Sequence, residues 1–364
     1  MKRLSLAILL VVAFFAVPSL HASYDLIIRN GRIVDGTGNP AYFADIAIKN
    51  GRIAAIGKIS DKADKEVDAT GLVVAPGFID VHTHAEGIDD LPMGENFVRM
   101  GVTTLVLGNC GSSVSDVDKF FKKMEKLKSS PNICTLIGHG TVRRQVMGGS
   151  FMRPPTDEEL ETMKAMVEKA MKDGAVGIST GLIYLPGVFA KTEEIIELAR
   201  IVGEYDGVYA THQRNESHSI LNSLDEVFRI AREANVRAQV SHIKLAGQAN
   251  WKQTDKVLAA IEKARVEGLD ITQDQYAYTA SSTGISQTIP DSAKDGGREA
   301  FLKRIEDPDQ KAKIINEMKE SLKKRGVKDY SYAVIASYRA DPSLNGLSIP
   351  QAAKKVRGSD SLED

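Results

Sequence analysis

The chain has 364 residues, with 47 lysines and arginines, 48 aspartates and glutamates, and a formal net charge of −1. No basic block or acidic tail stands out, which argues against nucleic acid or lipid headgroups as partners. The two cysteines, Cys110 and Cys134, are too few for a disulfide framework.

The first 22 residues have the pattern of a secretory signal peptide. Lys2 and Arg3 form a positive start, residues 4–17 are almost wholly apolar, and residues 18–22 lead to a small residue suited to cleavage. The apolar run is shorter than the ~20 residues of a comfortable membrane span. The sequence therefore predicts a periplasmic or secreted protein with no stable membrane association after cleavage, and an uncleaved anchor is the alternative.

Residues 24–76 predict a small β domain, or part of one. Apolar and polar residues alternate in DLIIRNGRIVDG and DIAIKNGRIAAIG. Each segment contains an Asn-Gly pair, Asn30-Gly31 and Asn50-Gly51, whose residues tolerate positive φ. Both pairs therefore predict two-residue hairpin turns.

From residue 77, short apolar strands alternate with amphipathic helices. The seven strand segments are GFIDVHTH, TTLVLGNC, ICTLIGHG, AVGISTG, GVYATHQ, RAQVSHIK and LDITQDQY. Thr156 with Glu159, and Ser223 with Glu226, predict capping boxes at two helix starts, and Thr192 predicts a third cap. Histidines and other polar residues lie at the C-terminal ends of successive strands. This placement favours a (β/α)8 TIM-like barrel over an open doubly wound sheet, whose ligands gather at one switch point.

After Tyr276 the strand–helix alternation fails. Residues 279–297 predict a loop over the site, residues 298–325 a charged helical segment, residues 331–339 a strand, and residues 349–356 a short helix. No segment predicts an eighth barrel strand. We therefore expect a barrel over residues 77–364 that lacks its last strand, in a chain truncated at its C-terminus.

Five side chains at the predicted strand ends form a candidate metal site: His82, His84, Cys110, His212 and His242. Residues i and i+2 of a strand share a face, so the two histidines of HTH point together. Imidazole and thiolate are ligands that suit zinc. Taken alone, the HTH pair also fits two satisfied polar residues, and Cys110 a small buried hydrophobe. Five donors on four strands favour one or two Zn²⁺ ions.

Seven segments resemble the D-aminoacylase (N-acyl-D-amino-acid deacylase) family of the amidohydrolase superfamily. They are NGRIVDGTG, APGFIDVHTH, GNCG, GISTGLIYLPG, THQRNE, SHIK and QDQYAYTASSTG. The resemblance implies a zinc-dependent enzyme that hydrolyses the amide bond of a small substrate, an N-acyl-D-amino acid, to a carboxylate and a free D-amino acid. Alternatives are a cyclic-amide (hydantoinase-like) or D-dipeptide hydrolase of the same superfamily.

The resemblance also implies roles for individual residues. His82 and His84 would hold one metal and His212 and His242 the other, while Cys110 bridges them or belongs to the tighter site. The residues implied to bind the substrate carboxylate are Tyr184, Lys244 and Ser281. Lys244 lies two residues after His242, so we expect it on the same face as that histidine.

One element of the family pattern has no match. The family's general acid/base is an Asp in a GSD-like turn after the last barrel strand. The GSD segment at residues 358–360 follows a predicted helix, so Asp360 is not that residue, and Asp274 is a poor substitute. The expected catalytic Asp would lie beyond Asp364. The chain could therefore be an inactive metal-binding remnant, or hydrolyse its substrate slowly, since acid–base catalysis contributes ~10²–10⁴-fold.

Overall fold

The computed structural model describes residues 24–363, so the signal peptide predicted over residues 1–22 lies outside the described residues. The chain divides into two compact units, the first ending at Gly77 and the second starting at Phe78. Within residues 24–363, no helix is both long and apolar enough to cross a membrane.

The first unit is a five-stranded mixed sheet. Its strands are β1 (Tyr24–Ile33), β2 (Tyr42–Lys49), β3 (Arg52–Gly57), β4 (Ala63–Asp68) and β5 (Val73–Val74). They are ordered β3-β2-β1-β4, and β5 also pairs with β1. The turn predicted at Asn50-Gly51 is confirmed, because it joins antiparallel β2 and β3 with φ of 52° and 71°.

The hairpin predicted at Asn30-Gly31 is wrong. This pair lies inside β1, where the register with β2 shifts between Ile28 and Gly31, so it forms a bulge and not a reversal. Asn30 takes the positive φ of 60° that such a bulge requires. A Cβ on Gly31 would lie 2.6 Å from Val74 Cγ2, so β5 packs where only glycine leaves room.

The second unit contains all seven predicted strands, which are parallel and form eight segments because one of them is interrupted. They are β6 (Phe78–Asp80), β7 (Val102–Leu107), β8 (Asn132–Thr135), β9 (Ile137–Gly138), β10 (Gly177–Gly181), β11 (Val208–His212), β12 (Arg237–Val240) and β13 (Ile271–Gln273). β8 and β9 are one strand position interrupted at Leu136, whose N–H donates to Leu107 O. Neighbours pair in chain order, β6-β7-β8 and β9-β10-β11-β12-β13.

This row of strands is strongly curved. The Nδ1 atom of His82, just after β6, lies 3.0 Å from Asp274 Oδ1, just after β13. Across a flat seven-stranded sheet with ~4.8 Å between strands, these residues would lie ~29 Å apart. The row therefore curls round until its first and last members approach at their C-terminal ends, as in a barrel. β6 and β13 are not paired, and Phe78 and Ile79 on β6 remain 65% and 63% exposed.

Helices follow the strands and bury the outer face of the sheet. They are α1 (Glu95–Arg99), α2 (Val117–Leu127), α3 (His139–Met147), α4 (Asp157–Lys172), α5 (Thr192–Glu204), α6 (Ile220–Ala234), α7 (Thr254–Val266), α8 (Gly297–Glu306), α9 (Pro308–Arg325) and α10 (Ile349–Arg357). The main core joins β10 to β12 with α4 to α7 through buried residues such as Ile178, Tyr209, Leu198 and Ile230.

Of the helix starts predicted by capping, only the one at Thr156 is confirmed. Thr156 and Glu159 form a complete capping box on α4. α6 begins three residues before Ser223, which is buried inside the helix. Thr192 is the first residue of α5 and not its cap, and it donates instead to Glu226 Oε1 at 2.8 Å.

The C-terminal region is mostly helical. The helix predicted at residues 349–356 is confirmed as α10, and residues 298–325 form α8 and α9, which break at Pro308. The strand predicted at residues 331–339 is wrong: a 3-10 turn and one isolated bridge, Val334 with Ser348, occupy this region. In the described residues no strand follows β13. Asp360 comes after the left-handed C-cap of α10 and is exposed, 3.6 Å from Lys354 Nζ, as expected for a residue outside the site.

Candidate metal centre

Four strand ends carry the five predicted metal ligands to one place. His82 and His84 follow β6, Cys110 follows β7, His212 ends β11, and His242 follows β12. Cys110 and His242 have positive φ values of 54° and 36°. Such values in non-glycine residues cost about 1–3 kcal/mol each and persist where the surroundings impose them, most often at functional sites. The chain here turns to aim side chains at a common point.

The Cys110 sulfur lies at the centre of this group. Its Sγ is 3.4 Å from His82 Nε2, 3.7 Å from His242 Nε2 and 3.9 Å from His212 Nδ1. The potential ligand atoms form two sets of three, His82–His84–Cys110 and Cys110–His212–His242, each within 4.8 Å. Cys110 belongs to both sets. A single thiolate can therefore contribute to two neighbouring cation positions.

The spacing of these donors fits a metal ion better than direct hydrogen bonds. Zinc bonds of ~2.0–2.1 Å to nitrogen and ~2.3 Å to sulfur at a tetrahedral angle separate the two donor atoms by ~3.6 Å. The three sulfur–nitrogen distances, 3.4–3.9 Å, bracket this value. The types and separations of the donors therefore suit Zn²⁺.

The electrostatics of the pocket also favour a cation. Burial, reinforced by the nearby charges of Asp274 and Glu216, raises the pKa of the Cys110 thiol to about 12. Burial lowers the pKa of His212 to about 3, so its imidazole is neutral at pH 7. A metal ion would replace the thiol proton and use the imidazole lone pair, which satisfies both groups.

Two carboxylates orient two of the imidazoles. Asp274 Oδ1 lies 3.0 Å from His82 Nδ1 and accepts the His242 backbone N–H at 2.7 Å. Glu216 Oε1 lies 3.0 Å from His242 Nδ1. With the His82 Nδ1–H donating to Asp274, the His82 Nε2 lone pair faces Cys110, the arrangement that metal-binding histidines usually adopt. His242 Nδ1 lies between Glu216 Oε1 and the Lys244 ammonium, which is 2.9 Å away and can only donate.

Both carboxylates are ionised at neutral pH. Burial raises the pKa of each, but hydrogen bonds outweigh it, from His82 for Asp274 and from His242 for Glu216, so both pKa values lie below their usual range. No sequence pattern points to Glu216, which lies in a loop between β11 and α6. The sequence suggests Asp274 only as a poor substitute for the catalytic acid, whereas the structure places it beside the predicted ligand His82.

The residues predicted to bind substrate surround this centre. The Tyr184 ring packs edge-on against His212 with centroids 4.9 Å apart, and Tyr184 lines a cavity of about 300 Å³ with His84 and Cys110. Lys244 Nζ lies 2.6 Å from Glu216 Oε1, so its charge is already paired. Ser281 is exposed and hydrogen-bonds with Tyr276, whose ring lies 5.5 Å from Lys244 Nζ. Lys244 Nζ also lies 2.9 Å from His242 Nδ1, so it contacts a predicted ligand directly, whereas Ser281 reaches the site through Tyr276.

His139, the first residue of α3, belongs to a separate buried cluster. Its Nε2 lies 2.8 Å from Glu194 Oε1, which also accepts the Arg143 Nε–H at 3.0 Å. All three side chains are almost fully buried.

The sequence and fold match known proteins. A model of the amidohydrolase family matches residues 65–329. The chain belongs to the amidohydrolase family. D-aminoacylase from Alcaligenes xylosoxydans xylosoxydans is 39% identical to it over 293 residues, which are 72% of this chain and 59% of that protein. This amidohydrolase chain thus spans about 59% of the length of that curated relative.

Two solved amidohydrolases share the fold. A crystal structure of D-aminoacylase aligns with a TM-score of 0.75 and 31% identity, covering 93% of this chain and 68% of that one. N-acyl-D-glutamate deacylase from Bordetella bronchiseptica, complexed with zinc and a phosphonate inhibitor, aligns with a TM-score of 0.68 and 35% identity, covering 70% and 59%. They confirm the α/β fold class predicted from the sequence.

Proposed function

We propose that the chain is a zinc-dependent hydrolase of N-acyl-D-amino acids. The observation that carries this proposal is the pair of ligand sets that share Cys110 at the C-terminal ends of parallel strands. The relatives supply the substrate class, since they are named as D-aminoacylase and N-acyl-D-glutamate deacylase. Hydrolysis adds one water across the amide bond and yields a carboxylic acid and a free D-amino acid.

In this proposal, the two ligand sets hold one or two zinc ions. Zinc, when bound, polarises an amide carbonyl and lowers the pKa of water. Asp274 holds His82 in the ligating tautomer, and Glu216 and Lys244 together position His242. Tyr184 lines the substrate cavity, and the family resemblance assigns the α-carboxylate of the substrate to Tyr184, Lys244 and Ser281.

We expect slow turnover, because the carboxylates near the ligands are already engaged. Asp274 and Glu216 each accept from more than one donor, and Glu86 Oε1 accepts the Gly108 backbone N–H at 3.2 Å. A carboxylate held this way is a weak proton acceptor for water. Loss of general acid–base catalysis lowers the rate by ~10²–10⁴-fold.

The test combines metal analysis with a panel of substrates. Full-length protein loaded with zinc should bind one or two equivalents and hydrolyse N-acetyl-D-leucine but not its L-enantiomer. A hydantoin and a D-dipeptide test the two alternative activities. Cys110→Ala should abolish both zinc binding and hydrolysis, whereas Cys134→Ala should retain both, because Cys134 lies on β8 outside the ligand sets. Zinc binding without hydrolysis of any substrate would identify a metal-binding protein without enzymatic activity.

We also propose that the protein acts in the periplasm or outside the cell, on the basis of its N-terminal sequence. Cell fractionation and N-terminal sequencing of the mature protein test this. Recovery from the cytoplasm with Met1 intact would contradict export.

A further inference from the structure

One arginine stands out in the wall of the cavity beside the metal centre. Arg144, on α3, lines the same cavity of about 300 Å³ as His84, Cys110 and Tyr184. Its Nη2 donates to the carbonyl oxygen of Leu185 at 2.8 Å. That contact fixes the position of the guanidinium at the rim, since Leu185 also lines the cavity.

Arg144 differs from the cations around it in having no acidic partner. Lys244 is paired with Glu216 at 2.6 Å, and the adjacent Arg143 with Glu194 at 3.0 Å. For Arg144, no Asp or Glu among residues 24–363 comes within ion-pair distance, and the Leu185 carbonyl is its one hydrogen-bond acceptor within the same range. Four of its five N–H groups are left to bind a ligand.

We propose that Arg144 binds a second carboxylate of the substrate. The preferred substrates would then be N-acyl-D-amino acids that carry an extra carboxylate, on the amino-acid side chain or on the acyl group. This inference rests on the proposed function and narrows its substrate class. An arginine recognises a carboxylate through two parallel hydrogen bonds, and a guanidinium held in place by a carbonyl loses little freedom on binding.

The size and composition of the cavity agree with such a ligand. A volume of about 300 Å³ lies at the lower end of the range for small-molecule sites and suits a molecule the size of an N-acyl-amino acid. The amide to be cleaved would lie near His84 and Cys110, and the extra carboxylate near Arg144. Glycines at positions 111, 140, 181 and 187 line the space between, and their backbones pack so closely that a Cβ on any of them would lie 2.2–2.8 Å from a neighbouring backbone atom.

The experiment compares ligands that differ only in charge. N-acetyl-D-glutamate is paired with N-acetyl-D-glutamine, and N-succinyl-D-leucine with its terminal amide, so that each pair tests one source of the carboxylate. Zinc-loaded full-length protein should prefer at least one charged member about tenfold in kcat/KM. This is the lower end of the range for charge-assisted hydrogen bonds, because Arg144 is exposed. Equilibrium binding of the same ligands by calorimetry gives a readout that needs no turnover.

Arg144→Gln should remove the preference for the charged ligand, measured as the ratio of kcat/KM within each pair, because the loss of the Leu185 contact affects both members of a pair alike. Arg144→Lys should restore part of this preference, since lysine keeps the charge without the planar fork. The matched control is Arg99→Gln, which removes an exposed arginine of α1 that pairs with Glu95, and it should change nothing. Raising the salt concentration should weaken only the charged ligands.

The outcomes separate this inference from the proposed function. Hydrolysis of neutral substrates with no charge preference, or with a preference that survives Arg144→Gln, overturns the Arg144 site and leaves the deacylase proposal standing. Arg144-dependent binding of a charged ligand without hydrolysis of any substrate supports the site and contradicts the deacylase activity. If neither charged ligand binds, the Arg144 site is overturned.

Discussion

Removing the Asp274 carboxylate should weaken zinc binding through His82. Asp274 Oδ1 accepts from His82 Nδ1 at 3.0 Å and from the His242 backbone N–H at 2.7 Å, while its Oδ2 accepts from Gln239. In Asp274→Ala, His82 is free to adopt the other tautomer, whose Nε2–H points at Cys110. Loss of a carboxylate that hydrogen-bonds a metal-binding histidine typically weakens metal affinity by about 10–100-fold, or about 1.4–2.7 kcal/mol.

The chain offers a graded variant and a control for this experiment. Asp274→Asn keeps one acceptor oxygen for His82, because Gln239 can turn its amide and accept from the new –NH₂ group. A neutral acceptor is about half as strong, so we expect a loss of only a few-fold. Asp64→Asn, on the exposed surface of β4, should leave affinity unchanged. Affinity is measured by competition with a fluorescent zinc chelator at pH 7.5, with thermal unfolding of the zinc-free protein to check folding.

A double-mutant cycle decides whether His82 transmits the effect. If Asp274 acts by orienting that imidazole, Asp274→Ala should weaken zinc binding in the native background and have almost no further effect in His82→Ala. Equal losses in both backgrounds would refute the orientation argument and indicate general damage to the site. Asp274→Ala with native affinity would refute it as well.

Three further perturbations have definite expected results. Thr156→Ala removes the cap of α4 and should lower the free energy of unfolding by about 1 kcal/mol in urea titrations. Zinc binding at pH 8 should release about one proton, because burial raises the pKa of the Cys110 thiol to about 12 and the thiol binds zinc as a thiolate. Zinc affinity should therefore rise with pH. Calorimetry in two buffers measures the proton release, which Cys110→Ser should lack. Gly181→Ala should cost about 3 kcal/mol in thermal unfolding and weaken zinc binding, since a Cβ there would lie 2.2 Å from the Cys110 carbonyl oxygen.

The sequence predicts the strands and the convergence of the candidate ligands because both signals are local. An apolar run of four to six residues that ends in histidine or cysteine identifies a buried strand and the chemistry at its end together. Parallel pairing then brings the ends of successive strands to one edge, so His82, Cys110, His212 and His242 converge without any knowledge of loop structure.

The carboxylates around the ligands could not be predicted in the same way. His82 and Asp274 are 192 residues apart, and they meet because the seven strands curl until the first approaches the last. Glu216 comes from a loop, and its contact with Lys244 depends on how that loop folds back over β12. No periodicity or short motif encodes such distances.

The cap predicted at Ser223 shows a different source of error. The Ser-x-x-Glu spacing marks a helix start because residues three apart on a helix are neighbours, but for the same reason it occurs inside helices. Here burial of Ile220 and Leu224 stabilises α6 from Ile220 onward, so the helix begins before the Ser-x-x-Glu segment. Glu226 instead accepts from Arg214 and Thr192, and Arg214 also donates to the carbonyl oxygens of Val188 and Ala190.

Thr192 and Glu226, which the sequence pattern assigns to helix starts, therefore stabilise the loop that forms the cavity wall. The segment from Tyr184 to Ala190 is held at one end by Arg144, which donates to the Leu185 carbonyl, and at the other by Arg214. Glu226 and Thr192 keep the Arg214 guanidinium in place. A loop whose carbonyls are satisfied by two fixed arginines has little freedom to move. The same contacts that position Tyr184 beside His212 thus leave Arg144 facing the cavity, so the rigidity of the wall and its positive charge have one structural origin.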